Sequence, residues 1–181
     1  MGGKIIKEKL VGQFVDLREI QIDDAEFVLK LRCDEKKSEF LHKTEFDLDK
    51  QVDYIKKYQK LDNEWYFIIL NKKGEAIGTN RIYDIRDDSF ATGSWIMTDG
   101  NSGEEIFESD YLTRLYGFDT LGFSKTHFDV SFGNDKVIKY HKMLGAKIIS
   151  EDEIGYHFEL SKEDFKKKAE LWLKLYKQFN K

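Results

Sequence analysis

Hydrophobic and polar positions along the chain fall into short, separable patterns. Phe14 to Ile20 partly alternates and predicts a strand packed on one face. Asp23, with Glu26 three residues on, forms a capping-box pattern ahead of Phe27, Val28, Leu29 and Leu31 and predicts a helix. A second helix is predicted after Asp47, carrying Val52, Ile55 and Leu61. Trp65–Leu70 is an unbroken aromatic and aliphatic run closed by Asn71-Lys72-Lys73-Gly74, a strand and turn; Ala76–Tyr83 reads as its hairpin partner. After Asp87-Asp88-Ser89, Phe90 to Met97 predicts a third antiparallel strand.

The second half continues the alternation. Thr98 to Gly103 is loop by composition, and a helix opens near Ser102, with Phe107, Tyr111, Leu115 and Phe118 on one face. Thr126–Phe132 is a strand, Asp135–Leu144 a helix ended by Gly145, and Lys147–Ile149 with Tyr156–Leu160 a closing hairpin. Ser161, with Asp164 at the third position, caps a last amphipathic helix with Phe165, Ala169, Trp172, Tyr176 and Phe179 on one side. The order is β-α-α-β-β-β-α-β-α-β-β-α.

Composition narrows the class. A chain of 181 residues can build one core without staples, and neither a repeat nor a low-complexity block divides it, so residues 1–181 are expected to form one domain. Cys33 stands alone, which excludes an intrachain disulfide framework and a cysteine-rich zinc site, and no metal is expected. The net charge of -4, from 30 basic and 34 acidic residues, lacks the positive field that non-specific nucleic-acid binding needs. Neither an apolar leader at Met1–Lys7 nor a membrane-length run is present, so a cytoplasmic location is expected.

Four segments in this order carry a family likeness: Val15-Asp16-Leu17-Arg18 followed by Asp24-Ala25; Ala76-Ile77-Gly78-Thr79; Gly93-Ser94-Trp95-Ile96-Met97; and Val130, Asn134 and Gly145 spaced four and eleven apart. Together they resemble the GCN5-related N-acetyltransferases, in the branch of ribosomal-protein alanine and nucleotide-amino-sugar acetyltransferases. The resemblance covers roughly residues 14 to 165. It implies an α/β fold with a mixed central sheet of about seven strands, splayed between the fourth and fifth, helices on both faces and an extra C-terminal helix. It also implies acetyl-coenzyme A as acyl donor, its pantetheine arm bonded to the backbone of Trp95, Ile96 and Met97, its pyrophosphate at a helix start formed by Ser102 and Gly103, and Asn134 contributing from the next helix. The family's glycine-rich entry to that helix is reduced here to Asn101-Ser102-Gly103-Glu104-Glu105, and the chain has no proline after the Trp-x-Ile segment.

The resemblance places the general acid that protonates the departing thiolate at His141, with Tyr140 beside it. Either can act as the acid, and Val137, His141 and Leu144 share a face that also suits a packing histidine. His127 and Asp129, polar residues on one side of an apolar strand, are candidates for removing the amine's proton, and Asn80 for binding substrate; local hydrogen bonding accounts for them equally well. Phe40, in Ser38–His42, falls at the family's substrate-gripping loop. The expected activity is N-acetylation of a primary amine on a small metabolite, foremost a nucleotide-linked amino sugar. The alternatives are a protein N-terminus as acceptor, or a binding module without catalysis. A homodimer is compatible with the C-terminal apolar stripe.

Overall fold

The computed structural model describes residues 9–37 and 44–179, the last five as backbone only. Eight strands, β1 (Leu10–Val11), β2 (Val15–Glu19), β3 (Trp65–Asn71), β4 (Ala76–Tyr83), β5 (Ser89–Met97), β6 (Lys125–Ser131), β7 (Lys147–Glu151) and β8 (Gly155–Ser161), form one sheet in the order β1-β2-β3-β4-β5-β6-β8-β7. The helices are α1 (Ala25–Arg32), α2 (Leu48–Tyr58), α3 (Gly103–Leu115), α4 (Asp135–Met143) and α5 (Lys162–Phe179). The mixed sheet matches the expected α/β fold, with the two-residue β1 as an eighth strand. Its edge position beside Leu17 and Asp16, rather than any pattern of its own, makes it a strand.

Two compact units divide the chain, residues 1–85 with 92–115 and residues 86–91 with 116–181. In the first, β3 is buried along Trp65–Leu70, as an unbroken apolar run requires when both faces are covered. Val28, Ile55 and Tyr58 from α1 and α2 pack with Tyr66, Ile68 and Leu70. The Tyr58 hydroxyl accepts from Tyr66 N at 2.7 Å and donates to Glu19 Oε1 at 2.9 Å, while burial pushes its ionisation far up. Helix α3 contacts β2 and β4. Glu108 ties it down: its carboxylate accepts from the backbone N–H of Gln13, Phe14 and Val15 at 2.9, 2.6 and 2.8 Å.

In the second unit β6 and β8 pair antiparallel from Lys125↔Ser161 to Ser131↔Gly155. Phe128 stacks on Phe158 at 5.4 Å, and Phe118 touches Phe90 at 5.3 Å and Phe165 at 5.4 Å. Gly145, at φ 95°, ends α4 in the left-handed region, and the following N–H of Ala146 returns to His141 O at 3.0 Å. Ser161 Oγ accepts from Asp164 N at 3.1 Å, the cap read for α5.

Four local expectations are corrected. Asp23 does not cap α1: Gln21 opens a 3-10 turn over Ile22–Asp24, and Asp24 takes the capping role because its carboxylate accepts from Gln21 N at 2.7 Å and from both Arg18 Nη atoms at 2.7 Å. Leu61 lies beyond α2 and is 41% exposed. On α3, Phe107 is buried but Tyr111 and Leu115 are only partly so, and the covered face carries Ser109, Asp110, Thr113 and Arg114; the buried Asp110–Arg114 pair at 2.9 Å makes that polar face tolerable. After Leu115 the backbone widens into a π-helical turn over Tyr116–Thr120.

Candidate active site

In the first unit β5 carries Trp95, Ile96 and Met97. Trp95 Nε1 donates to Ser109 Oγ at 3.0 Å, fixing the indole against α3, and Ile96 is buried. Gly78 on β4 is required here, because a Cβ at that position would stand 2.6 Å from Ile96 O and 2.5 Å from Met97 Sδ. Upstream, Ser94 sits at φ 51°, a left-handed conformation that costs a non-glycine residue about 1–3 kcal/mol, and its carbonyl accepts from Thr79 Oγ1 at 2.7 Å. In the second unit the parallel pairing of β5 with β6 covers Ser89–Ala91 against Lys125–His127.

The start of α3 fits a phosphate only in part. Gly103 opens onto space, with nothing within 4 Å of a Cβ placed there. Ser102 N, however, donates to Glu105 Oε2 at 2.8 Å, and Glu105 N donates to Ser102 Oγ at 3.2 Å. This reciprocal capping box places the chain's own carboxylate at the positive end of the helix.

A cavity of about 450 Å³ opens in the first unit among α1, α2, β3, β4 and β5. Its wall includes Arg32, Gln51, Tyr54, Tyr66, Arg81 and Ser94. Arg81 is ion-paired with Glu64 and lies over the Tyr83 ring at 4.9 Å. Burial pushes the Tyr54 and Tyr66 hydroxyls above the usual phenol range, so both enter chemistry as neutral groups. Asn80, on β4, is fully buried; its Oδ1 accepts from Arg81 N at 2.9 Å and its Nδ2 has no partner among the described residues.

The second unit holds the other candidates among the described residues. His141 is 5% exposed, its ring 4.2 Å from Phe128, 5.2 Å from Tyr140 and 6.4 Å from Phe158; Tyr140 is half-buried. His127 is half-buried and its Nδ1 lies 2.9 Å from Ser89 Oγ. The Asp129 side chain is 76% exposed rather than interior, because Thr126, Phe128 and Val130 take the covered face of β6. Its Oδ1 lies 2.6 Å from His157 Nδ1, and Asp152 Oδ2 lies 3.2 Å from Nε2 of the same ring. Asp129, foremost, holds the His157 pKa above the usual histidine value. Asn134 precedes α4 with no side-chain cap bond, and Phe40 falls outside the described residues.

The Acetyltransferase (GNAT) domain matches residues 15–147. The chain belongs to the GNAT acetyltransferase family. A solved structure described as apo FdhC, a nucleotide-linked sugar GNAT, is 33% identical over 93% of this chain and 98% of that one, with a TM-score of 0.84. A GCN5-related N-acetyltransferase from Brucella melitensis (15% identity, 90% and 82% coverage, TM-score 0.73) shares the fold. So does the spermidine/spermine N-acetyltransferase SpeG from Vibrio cholerae (15% identity, 87% and 99% coverage, TM-score 0.71). No curated protein sequence matches the chain. As a GNAT member it is an N-acetyltransferase with acetyl-coenzyme A as acyl donor. No helix among the described residues is long and apolar enough to cross a membrane.

Arg32, Gln51, Tyr54, Arg81 and His157 were not singled out in the sequence. Arg32 reads there as an ordinary basic residue in the last turn of a helix, and Arg81 as one outward position of a strand. Ser94 alone had a signal, as part of Gly93–Met97.

Proposed function

We propose that this GNAT acetylates the primary amine of a nucleotide-linked amino sugar. The observation that carries the reading is the cavity of about 450 Å³, a size suited to a small ligand, whose wall combines the guanidinium groups of Arg32 and Arg81 with Tyr54, Tyr66 and Tyr83. Guanidinium groups suit phosphate oxygens, and aromatic faces suit bases and sugar rings. The 33% identity to a nucleotide-linked sugar GNAT supports it.

In the reaction the unprotonated amine attacks the thioester carbonyl, the C–N bond forms, the C–S bond breaks, and the thiolate takes a proton. Positioning of the two substrates contributes much of the rate. We assign the proton donor to Tyr140, because His141 is enclosed by aromatic rings and serves to hold the helix against β6 and β8. His127, steadied by Ser89, is the better acceptor of the amine's proton, since Asp129 is engaged by His157. In this reading Trp95–Met97 hold the donor's pantetheine arm, and Ser102 and Gly103 border its nucleotide. The reading includes a single acyltransferase domain, in keeping with a family match that runs through both units, and a cytoplasmic setting without nucleic acid, in keeping with the net charge of -4.

Coupled coenzyme A release over a panel of nucleotide-linked amino sugars, polyamines and N-terminal peptides tests the acceptor; turnover of peptides alone overturns it. Tyr140→Phe is expected to lower kcat roughly 10²-fold while leaving KM for the acceptor in place.

A further inference from the structure

Among the basic groups of the cavity, Arg32 stands apart. Lys50 is neutralised by Glu45 at 2.7 Å and Asp47 at 3.6 Å, and Arg81 by Glu64. The Arg32 guanidinium meets only hydroxyls among the described residues: Nε donates to Thr44 Oγ1 at 3.0 Å and Nη1 to Ser94 Oγ at 3.4 Å. Although Arg32 belongs to the last turn of α1, where a cation suits the dipole, its guanidinium bonds lead to Thr44 and to β5 rather than to the helix carbonyls. Thr44 and Ser94 therefore aim the fork, and a guanidinium has more N–H groups than those two bonds use. Ser94 does so from its left-handed backbone, a local strain at the residue that steadies Arg32.

The rest of the wall points the same way. Among the described residues its buried polar atoms without a hydrogen-bond partner are Gln51 Nε2, Arg81 Nε and the Tyr66 hydroxyl, two pure donors and one group that can donate. A wall with spare donors and a guanidinium that has no carboxylate partner among the described residues suits a group that only accepts hydrogen bonds and is negative. A polyamine acceptor would instead bring further cations and donors.

We infer that Arg32 reads an anionic oxygen group of the acceptor, the diphosphate of the nucleotide-linked sugar, making it a substrate-binding and specificity-determining residue. The inference rests on the acceptor class proposed above. Arg32→Gln removes the charge, and Arg32→Lys keeps it while losing the fork. With a nucleotide-linked amino sugar as acceptor, Arg32→Gln is expected to raise KM about 10- to 100-fold, with kcat and KM for acetyl-coenzyme A within about threefold, and Arg32→Lys to fall between it and wild type. An unchanged acceptor KM, or a loss confined to kcat, overturns the assignment.

A binding arm separates this from failure of the acceptor class. Inorganic pyrophosphate and malonate are titrated calorimetrically into wild type and Arg32→Gln, each saturated with coenzyme A. Pyrophosphate binding that is lost in Arg32→Gln supports the anion site even if no nucleotide-linked sugar is turned over. Equal binding by both proteins, or a preference for malonate, overturns the diphosphate assignment.

Discussion

Gly117 lies in the π-helical turn after α3, where absence of a side chain, rather than an unusual φ, is what matters. A Cβ built there would stand 2.6 Å from both Cε atoms of Phe90, against an ordinary carbon contact of about 3.5–4.0 Å. The Phe90 ring has little freedom to move: it is fully buried and held by Phe118 at 5.3 Å and Phe123 at 5.6 Å. Overpacking of this kind costs about 1–3 kcal/mol, and the overlap of nearly an ångström (about 3.5 less 2.6 Å) argues for the upper end. Alanine recovers up to about 1 kcal/mol of helical propensity, leaving a net loss of about 2 kcal/mol for Gly117→Ala. In a chain of 181 residues that lowers Tm by about 4–8 °C. The matched control is Gly103→Ala, where the added methyl meets nothing within 4 Å, so Tm should hold or rise slightly. Urea and thermal unfolding of both variants measure the difference. Equal stability of the two would refute the claim that Phe90 is confined.

Glu108→Ala strips the acceptor from the N–H groups of Gln13, Phe14 and Val15, and because these are exposed or half-buried the expected loss is about 2 kcal/mol, read as a Tm drop of about 4–8 °C; a drop below 2 °C rejects the anchoring role. His157 has its folded pKa raised, first by Asp129, so its contribution to stability is complete below the ordinary value near 6.5 and is lost as pH rises through the higher folded value. A titration of the His157 ring protons should give a midpoint above that value in wild type and a lower one in Asp129→Asn; a midpoint at or below it contradicts the pairing.

The strands were legible where the chain itself supplied both the pattern and the punctuation. Trp65–Leu70 is apolar throughout and closed by Asn71–Gly74, and its β3 bounds differ from the reading by one residue. A cap reads equally well when cap and target are neighbours in sequence, as with Ser161 accepting from Asp164 N. The capping pattern at Asp23 and Glu26 misleads because the deciding partner of Asp24, Arg18, reaches in from a different element. The face of α3 misled for a related reason: periodicity counts apolar residues, whereas Asp110 and Arg114 are buried by satisfying each other. Of the candidate site, Gly93–Met97 is visible as a segment, but the cavity draws one to three residues from each of five elements, and no local period announces that Arg32, Gln51 and Arg81 face one space.

The capping box at the start of α3 has a consequence for donor choice. Any phosphate that takes this helix end must first displace the Glu105 carboxylate, giving up a cap of about 1 kcal/mol, or roughly a fivefold weaker hold on the nucleotide. In the proposed arrangement the acyl arm lies along Trp95–Met97 rather than at this capped helix start, so discrimination among donors shifts from the nucleotide toward the acyl arm. A short acyl-thioester lacking the adenine nucleotide forfeits less on this chain than it would on a helix start without a carboxylate of its own.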